Sequence, residues 1–345
     1  MTEKMRASLL TVDRAVAVEL VDRPVPDANQ VLIQVAAVGV CGSDVHYYEH
    51  GRIGPYVVTD NLILGHELSG TIVAVGPGVP ASRIGERVAV EPQRPCRACH
   101  QCRSGRYNLC PSIEFFATPP VDGAFAEYVT IATDFAYAIP ESVSFNAAAL
   151  IEPLSVGIWA AQRARITPGS RVLIAGAGPV GVIMAQTARV FGALEVIVTD
   201  VSESRRDFAS RHGATAVLDP AKDDVEGLGV DVFLDASGVA SAVRSGIRAV
   251  GPAGCVILVG MGNDDVSLPV SHIQNNEIWV SGIFRYTNTW PLAIELVASG
   301  KVNLDALVTH TFSLDEAESA LNAGKQAGSM KAVVHPNRLQ PRRQD

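Results

Sequence analysis

Four cysteines crowd into one short segment of the chain. They are Cys96, Cys99, Cys102 and Cys110, separated by two, two and seven residues. Four thiolates from one loop match the tetrahedral all-cysteine set of closed structural zinc sites. Cysteine runs with two-residue gaps also occur in ferredoxins, so an iron–sulfur cluster is the competing interpretation. Because the fourth cysteine does not follow at the ferredoxin spacing, we predict one structural zinc.

A second set of candidate ligands comes from two separate segments. Cys41 follows a valine-rich stretch, and His66 and Glu67 follow a short apolar run. Cysteine, histidine and glutamate make a three-ligand zinc site with one open position, which distinguishes catalytic from structural zinc. Asp44 is suited to accept the remaining imidazole N–H of His66. Spacing alone leaves ordinary roles open as well: a core cysteine, a loop histidine and a surface acid.

The segment 171–181 carries the pattern Gly-x-Gly-x-x-Gly between a predicted strand and a predicted helix. Glycines let the backbone approach a pyrophosphate, and the helix start offers it free N–H groups. Asp200 ends the next strand, where a carboxylate accepts the ribose hydroxyls of NAD and repels the 2′-phosphate of NADP. Arg205 and Arg206 follow as helix-face charges, or one of them stacks on adenine, which leaves an opening for NADP. The predicted nucleotide contacts are Gly176, Gly178, Pro179, Val180, Gly181, Asp200 and Arg205.

Two patterns of secondary structure must position these groups. The first 150 residues are predicted to be β-rich, with strands over 31–40, 70–75 and 86–90. From residue 171, strands alternate with helical stretches, which predicts an α/β fold with a parallel, doubly wound sheet. The predicted strands there are 172–175, 195–199, 216–218, 230–235, 255–259 and 278–284. A helix over 291–299 and a short αβ tail are too small for a domain, and we expect them to fold back on the N-terminal part.

The composition excludes several classes of protein. The 345 residues are 48% hydrophobic and 19% charged, which suits a globular protein of about two domains. A net charge of −8 argues against a basic nucleic-acid-binding face. The longest uncharged apolar stretch, 172–188, is interrupted by glycines and a proline, so we predict no membrane span. The first ten residues lack the apolar core of a secretory signal. Together with cysteines spaced for metal, this leads us to expect a reducing, cytoplasmic compartment.

Longer segments match a known family, among them Val38-Gly-Val-Cys41-Gly-Ser-Asp-Val-His46, Leu64-Gly-His-Glu67 and Phe284-Arg-Tyr-Thr-Asn-Thr-Trp-Pro291. The sequence resembles the zinc-containing medium-chain dehydrogenases, and within them the sorbitol (polyol) dehydrogenase branch. The matching segments span nearly the whole chain and are 38–52, 64–67, 104–109, 117–120, 150–157, 176–179 and 284–291. Animal sorbitol dehydrogenases lack the full set of four lobe cysteines, whereas many bacterial and fungal relatives keep it, as this chain does.

The resemblance implies a division into domains. A GroES-like, β-rich catalytic domain would cover 1–152 and 290–345, with the structural zinc lobe at 96–110. A Rossmann NAD-binding domain would cover 153–289. Two zinc ions per chain are implied, the catalytic one on Cys41, His66 and Glu67 with Glu152 beside it. Family members are dimers or tetramers, so a homo-oligomer is expected.

The resemblance also implies a reaction, the oxidation of a secondary hydroxyl of a polyol to a ketose with hydride transfer to NAD. Ser43 and His46 are the candidate proton relay, and Glu152 is the alternative base. His46 has an alternative role as an ordinary loop histidine. The residues that the resemblance places in the substrate pocket are Tyr47, Ile53, Tyr56, Phe115, Thr118, Arg285 and Tyr286.

Other assignments stay open at this stage. Arg285 offers several donors to neighbouring hydroxyls, but a structural salt bridge would also explain it. Another zinc dehydrogenase, acting on threonine, simple alcohols or an aldose, is the near alternative. A non-catalytic NAD-binding sensor is the alternative from a different class, and the intact ligands and glycine turn argue against it. The sequence does not identify the preferred polyol.

Overall fold

The structure is a computed structural model that describes residues 3–262 and 265–337. Its strands are β1 (Lys4–Leu10), β2 (Val16–Asp22), β3 (Gln30–Gly39), β4 (Arg52–Ile53), β5 (Tyr56–Val57), β6 (Leu62–Ile63), β7 (Glu67–Val75), β8 (Arg87–Val90), β9 (Gln93–Arg94), β10 (Glu114–Phe115), β11 (Tyr128–Ala132), β12 (Ala136–Ala138), β13 (Arg171–Ala175), β14 (Glu195–Thr199), β15 (Ala216–Leu218), β16 (Val230–Asp235), β17 (Val250–Leu258), β18 (Trp279–Gly282), β19 (Val308–Ser313) and β20 (Lys331–His335).

The α-helices are α1 (Gly42–His50), α2 (His100–Arg103), α3 (Phe145–Ala149), α4 (Ile151–Arg163), α5 (Pro179–Val190), α6 (Glu203–Arg211), α7 (Ala240–Arg248), α8 (Val270–Asn275), α9 (Trp290–Ala298) and α10 (Ala317–Asn322). Within the described part of the chain, no helix has both the length and the apolar character needed to cross a membrane.

The chain divides into two compact units. As far as its residues are described, the first unit comprises 1–152, 290–298 and 304–345, and the second comprises 153–289 and 299–303. The short segment 299–303, which the sequence analysis placed in the first domain, clusters with the second unit. Gln186 on α5 connects this segment to the second unit: its side chain accepts from the backbone N–H of Asn303 at 2.8 Å and donates to the Asn303 carbonyl at 3.4 Å.

A seven-stranded sheet dominates the first unit, in the order β12-β8-β7-β3-β20-β19, with β11 also pairing with β3. The central strand β3 pairs with β7 along one edge, and with β11 and then β20 along the other. Its β-branched side chains suit a strand that is buried in the core, and Ile33, Val35 and Val38 are fully buried. The C-terminal strand β20 thus returns to the N-terminal part of the chain, as expected.

The second unit contains a six-stranded sheet in the order β15-β14-β13-β16-β17-β18, with every neighbouring pair parallel. This is the predicted doubly wound sheet. Strand β17 begins at Val250, five residues before the predicted start at Cys255. The segment 251–254, whose glycines and proline resemble a turn, is taken into the strand where the pairing with β16 shifts register.

Candidate functional site

The antiparallel pairing of β3 with β7 brings the first ligand set together. Gly39, the last residue of β3, pairs with Glu67, the first residue of β7. Cys41 follows β3 as the N-cap of α1 rather than as part of the strand, and His66 immediately precedes β7. The ligand atoms of Cys41, His66 and Glu67 lie within 4.8 Å of one another. Residues that are distant in sequence therefore meet at one end of a strand pair.

This cluster suits a metal ion chemically. It offers one sulfur, one imidazole nitrogen and one carboxylate oxygen, a donor set that zinc accepts with a fourth position left open. His66 and Glu67 are buried, and Cys41 is half-buried. Oε2 of Glu67 is also buried and has no hydrogen-bond partner among the described residues. A buried carboxylate oxygen without a donor is costly, so a cation at this point would remove that cost.

Asp44 organises the two segments that carry the cluster. Its fully buried carboxylate accepts the backbone N–H of Cys41 and of Gly65, each at 2.9 Å. Its Oδ1 lies 3.7 Å from Nδ1 of His66. This distance is within the range of an ion pair, but it is too long for the hydrogen bond between Asp44 and His66 that the sequence predicts. Burial works against the charged imidazole, but Asp44 and the Cys41 thiolate outweigh it and raise the pKa of His66 well above its ordinary value.

A lysine that sequence reasoning does not single out completes this centre. Nζ of Lys331 donates to Oε1 of Glu67 at 2.6 Å, and both side chains are buried. Burial alone would lower the pKa of Lys331, but Glu67, Cys41 and Glu152 raise it, so the ammonium form is kept. The available signal in the sequence is a lysine directly before the apolar run 332–334 of strand β20.

The four-cysteine segment forms a second, separate cluster. The sulfur atoms of Cys96, Cys99, Cys102 and Cys110 lie within 4.8 Å of one another, and none is in a disulfide. Backbone N–H groups point at the sulfurs: Cys96 donates to Cys110 at 3.4 Å, and Cys99 donates to Cys96 at 3.4 Å. Donors from Ala98 and Cys99 lower the pKa of the Cys96 thiol to about 6. Four convergent sulfurs with such donors fit a closed tetrahedral site.

Arg97, Arg103 and Arg106 lie among the lobe cysteines, where their positive charge could offset the negative charge of the thiolates. Arg97 instead forms an ion pair with Asp134 at 2.7 Å and lies over the ring of Phe135. The lobe is also tied to the core through Tyr107, whose hydroxyl donates to Oε1 of Glu91 at 2.8 Å. Arg97 therefore links the lobe to Asp134, and its charge is not available to the thiolates alone.

Glu91 is a second residue that sequence reasoning missed. It is fully buried, and Tyr107, Tyr137 and Gln93 donate to its carboxylate at 2.8, 3.1 and 3.0 Å. Burial raises its pKa to about 7, although these hydrogen bonds act in the opposite direction. A glutamate in the segment 87–91 resembles the polar end of a strand, and nothing in its immediate neighbours reveals the burial.

The glycine turn lies in the second unit, between β13 and α5. Gly176 has a φ of 95°, in the left-handed region that favours glycine, and Pro179 occupies the first turn of the helix. Gly178 is the N-cap of α5, followed by Val180 and Gly181 within the helix. Free N–H groups at this helix start can hold a phosphate. The predicted turn is therefore present with its strand before it and its helix after it.

Asp200 lies at the end of β14, beside this turn. Its Oδ2 accepts the backbone N–H of Ala177 at 2.9 Å, and Oδ1 accepts that of Ser202 at 2.8 Å. Arg206 donates to the Asp200 carbonyl and pairs with Asp219 at 3.6 Å. The half-buried Arg205 lies on α6, one turn along the helix. The acid is thus held against the glycine turn, and Arg206 is engaged by acceptors within the protein.

The candidate proton-transfer residues lie on two helices. Ser43 and His46 are on α1, immediately after Cys41, with Ser43 half-buried and His46 exposed. The His46 ring packs edge-on against His50, with centroids 4.5 Å apart. Glu152 is buried at the start of α4, close enough for its carboxylate to help raise the pKa of Lys331.

The candidate pocket residues are divided between the units. Tyr47 is buried on α1, and Phe115 packs with its ring centroid 5.3 Å from that of His66. The others in this unit are the half-buried Ile53 and Thr118 and the more exposed Tyr56. In the second unit Tyr286 is fully buried, and the Arg285 guanidinium lies 4.6 Å from the Phe284 ring centroid.

Comparison with known proteins identifies the family. The alcohol dehydrogenase GroES-like domain matches residues 27–141, and the zinc-binding dehydrogenase domain matches residues 179–299. The chain is 44% identical to the sorbitol dehydrogenase of Bacillus subtilis over 97% of this chain and 98% of that protein. This chain belongs to the zinc-containing medium-chain dehydrogenases. The family confirms the predicted fold class and the predicted enzyme class, a zinc-dependent oxidoreductase.

Two further members of this dehydrogenase family are close to the chain. D-xylulose reductase A of Aspergillus oryzae is 41% identical over 92% of this chain and 93% of that protein. A protein of Sinorhizobium meliloti described as a zinc-binding dehydrogenase, solved bound to NADP, is 32% identical with a TM-score of 0.91. That alignment covers 97% of this chain and all of the solved one. The likeness to these dehydrogenases therefore extends over nearly the whole chain.

Proposed function

We propose that this dehydrogenase oxidises a secondary hydroxyl of a polyol to a ketone, with hydride transfer to NAD. The observation that carries the proposal is the buried cluster of Cys41, His66 and Glu67, in a chain 44% identical to a sorbitol dehydrogenase. A zinc ion held there would act as a Lewis acid on the substrate hydroxyl. The open fourth position is what separates this cluster from the closed four-cysteine lobe.

The residues around the cluster have distinct tasks in this proposal. Cys41, His66 and Glu67 hold the metal, and Asp44 fixes the two backbone segments that carry them. In the proposed relay, Ser43 would accept the proton of the substrate hydroxyl while donating its own hydroxyl proton toward His46, and the exposed His46 would release a proton to water. Glu152 is the alternative base, since it lies buried near the same centre. The cysteine lobe binds a second zinc that has no part in the chemistry.

NAD is the proposed cofactor because of Asp200. Its carboxylate lies at the end of β14 and is held to the glycine turn by Ala177. A carboxylate there accepts the ribose hydroxyls and repels a 2′-phosphate. The Sinorhizobium meliloti relative was solved bound to NADP, so NADP is the alternative cofactor to test. Arg206 is already engaged by Asp219, which favours NAD in this chain.

A polyol is the proposed substrate because the two most similar proteins described above are named for sorbitol and D-xylulose. Arg285 is the proposed donor to distal hydroxyls of such a substrate. The near alternative, a zinc dehydrogenase for simple alcohols, needs no such donor. Comparison of several polyols with 2-butanol by kcat/KM separates the two proposals.

The metal assignment is tested by counting zinc in single variants. His66→Ala should lose one zinc and all turnover while keeping the fold and the lobe zinc. Cys99→Ser should lose the other zinc from the lobe. If His66→Ala keeps substantial activity, or Cys99→Ser keeps two zinc ions, the corresponding site is wrongly assigned.

We infer that a second copy of this chain is the protein's partner. Strand β18 is an edge of the six-stranded sheet, and Trp279 on it is 69% exposed. An open edge strand with a large exposed aromatic side chain favours pairing across a two-fold axis. Trp279→Lys should shift light-scattering mass toward the monomer, and an unchanged mass would exclude this edge. Cysteines grouped for metal binding, with none in a disulfide among the described residues, support a reducing, cytoplasmic compartment.

A further inference from the structure

The ion pair between Glu67 and Lys331 crosses a strand. Glu67 lies on β7 and Lys331 on β20, and β3 lies between these two strands in the sheet. Gly39 on β3 pairs with Glu67 of β7 on one side and with Val333 of β20 on the other. Lys331 and Val333 are two residues apart on β20, so they share a face of the sheet. The two charged side chains therefore meet above residue 39.

Gly39 leaves the space in which the carboxylate lies. A Cβ atom built on Gly39 would overlap with Oε2 of Glu67. The φ of Gly39 is not in the left-handed region, so the backbone alone does not require glycine here. The reason for a glycine at this position is instead the close approach of the Glu67 side chain.

The two carboxylate oxygens of Glu67 therefore have different surroundings. Oε1 is bound by Lys331 at 2.6 Å, whereas Oε2 lies against Gly39 without a hydrogen-bond donor among the described residues. We propose that Gly39 and Lys331 are positioning residues that fix the Glu67 carboxylate for metal binding. This inference rests on the proposed catalytic zinc site. It adds two residues that act on the metal through Glu67 and do not contact the ion themselves.

The charged groups around Lys331 are consistent with its role in positioning the Glu67 carboxylate. Glu67, Cys41 and Glu152 all favour the ammonium form of Lys331, so this cation faces three acidic groups. A buried cation compensates the mutual repulsion of such groups and holds one of them by a short, charge-assisted hydrogen bond. Outer partners of metal ligands typically contribute about 10–100-fold to metal affinity.

The test measures zinc release, which does not depend on turnover. Purified protein with both zinc ions is mixed with a chromogenic chelator, and the two release phases are followed. Lys331→Met and Gly39→Ala should release the catalytic zinc about 10–100-fold faster than the unmodified protein, while release from the lobe is unchanged. Lys331→Arg should largely restore slow release, because the guanidinium also binds a carboxylate. Lys222→Met and Gly324→Ala are matched controls at an exposed and at an open position.

A double-mutant cycle ties the effect to Glu67. In a Glu67→Gln background, Lys331→Met should add little to the release rate, because the carboxylate that it positions is already gone. Additive effects, or release at the unmodified rate in both Lys331→Met and Gly39→Ala, would overturn the inference. If Gly39→Ala does not fold, the Lys331 variants alone decide.

The failure of this inference differs from the failure of the proposed function. If His66→Ala still holds two zinc ions, the catalytic site is wrong and the inference falls with it. If His66→Ala loses one zinc while the Lys331 and Gly39 variants release it at the unmodified rate, only the positioning role is refuted.

Discussion

The buried carboxyl of Glu91 predicts a pH-dependent stability for the first unit. Its pKa rises from an ordinary 4.5 to about 7 because burial disfavours the charged form. A group whose pKa is higher in the folded state stabilises the fold fully below the unfolded pKa, and this contribution is lost as the pH rises through the folded pKa. The unfolding free energy should therefore fall between pH 4.5 and 7 on account of Glu91.

The size of the effect follows from the pKa difference. At about 1.4 kcal/mol for each tenfold change in acidity constant, the loss is about 3 kcal/mol once both states are ionised. Glu91→Gln keeps the shape but cannot ionise, so it should not show this loss. For a unit of this size, about 3 kcal/mol corresponds to a melting temperature difference on the order of 5–10 °C.

The assay compares the unmodified protein with Glu91→Gln at pH 5 and pH 8, by urea unfolding and by thermal melting, with zinc present. The variant should gain relative stability at pH 8. Glu114→Gln, at an exposed acid in the same region, is the matched control and should show no such gain. If the stability difference between the unmodified protein and Glu91→Gln is the same at both pH values, Glu91 does not titrate near neutrality and the argument from burial is refuted.

Two further predictions concern the cofactor and the substrate. Asp200→Ala should reduce the preference for NAD over NADP, because the carboxylate that repels a 2′-phosphate is removed; equal kcat/KM for both cofactors in the unmodified enzyme would contradict this. Arg285→Leu should lower kcat/KM for sorbitol or xylitol about 10- to 100-fold, the equivalent of a charged hydrogen bond worth ~1.5–3 kcal/mol, and should leave 2-butanol nearly unchanged. A uniform fall for both substrate types would indicate a structural role for Arg285.

Local sequence patterns are sufficient to predict those parts of the candidate sites that lie within one short segment of the chain. The glycine turn, the strand ending at Asp200 and the cysteine run could each be predicted because their parts lie within a few turns of chain. Cys41, His66 and Glu67 were identified by residue type and by resemblance, since spacing alone left ordinary roles open. The pairing of Gly39 with Glu67 explains why they converge, and that register is visible only in the fold.

Long-range partners were the part that could not be predicted. Lys331 is separated from Glu67 by 264 positions, and no periodicity connects them. Glu91 resembles any acid at the end of a strand until the two tyrosines and the burial around it are seen. Strand β17 begins five residues before its predicted start, because tertiary pairing extends the strand through residues 251–254, whose glycines and proline locally favour a turn.

The insertion of β20 beside β3 has a consequence for biosynthesis. The second unit precedes the C-terminal segments of the first unit in the chain, so its parallel sheet can form while β20 is still to be translated. Until β20 docks, Glu67 lacks Lys331 and one edge of β3 stays partly open near Gly39. Closure of the sheet and neutralisation of the buried carboxylate are then one late event. Glu67 would therefore gain its lysine partner only after β20 has been translated and has docked beside β3.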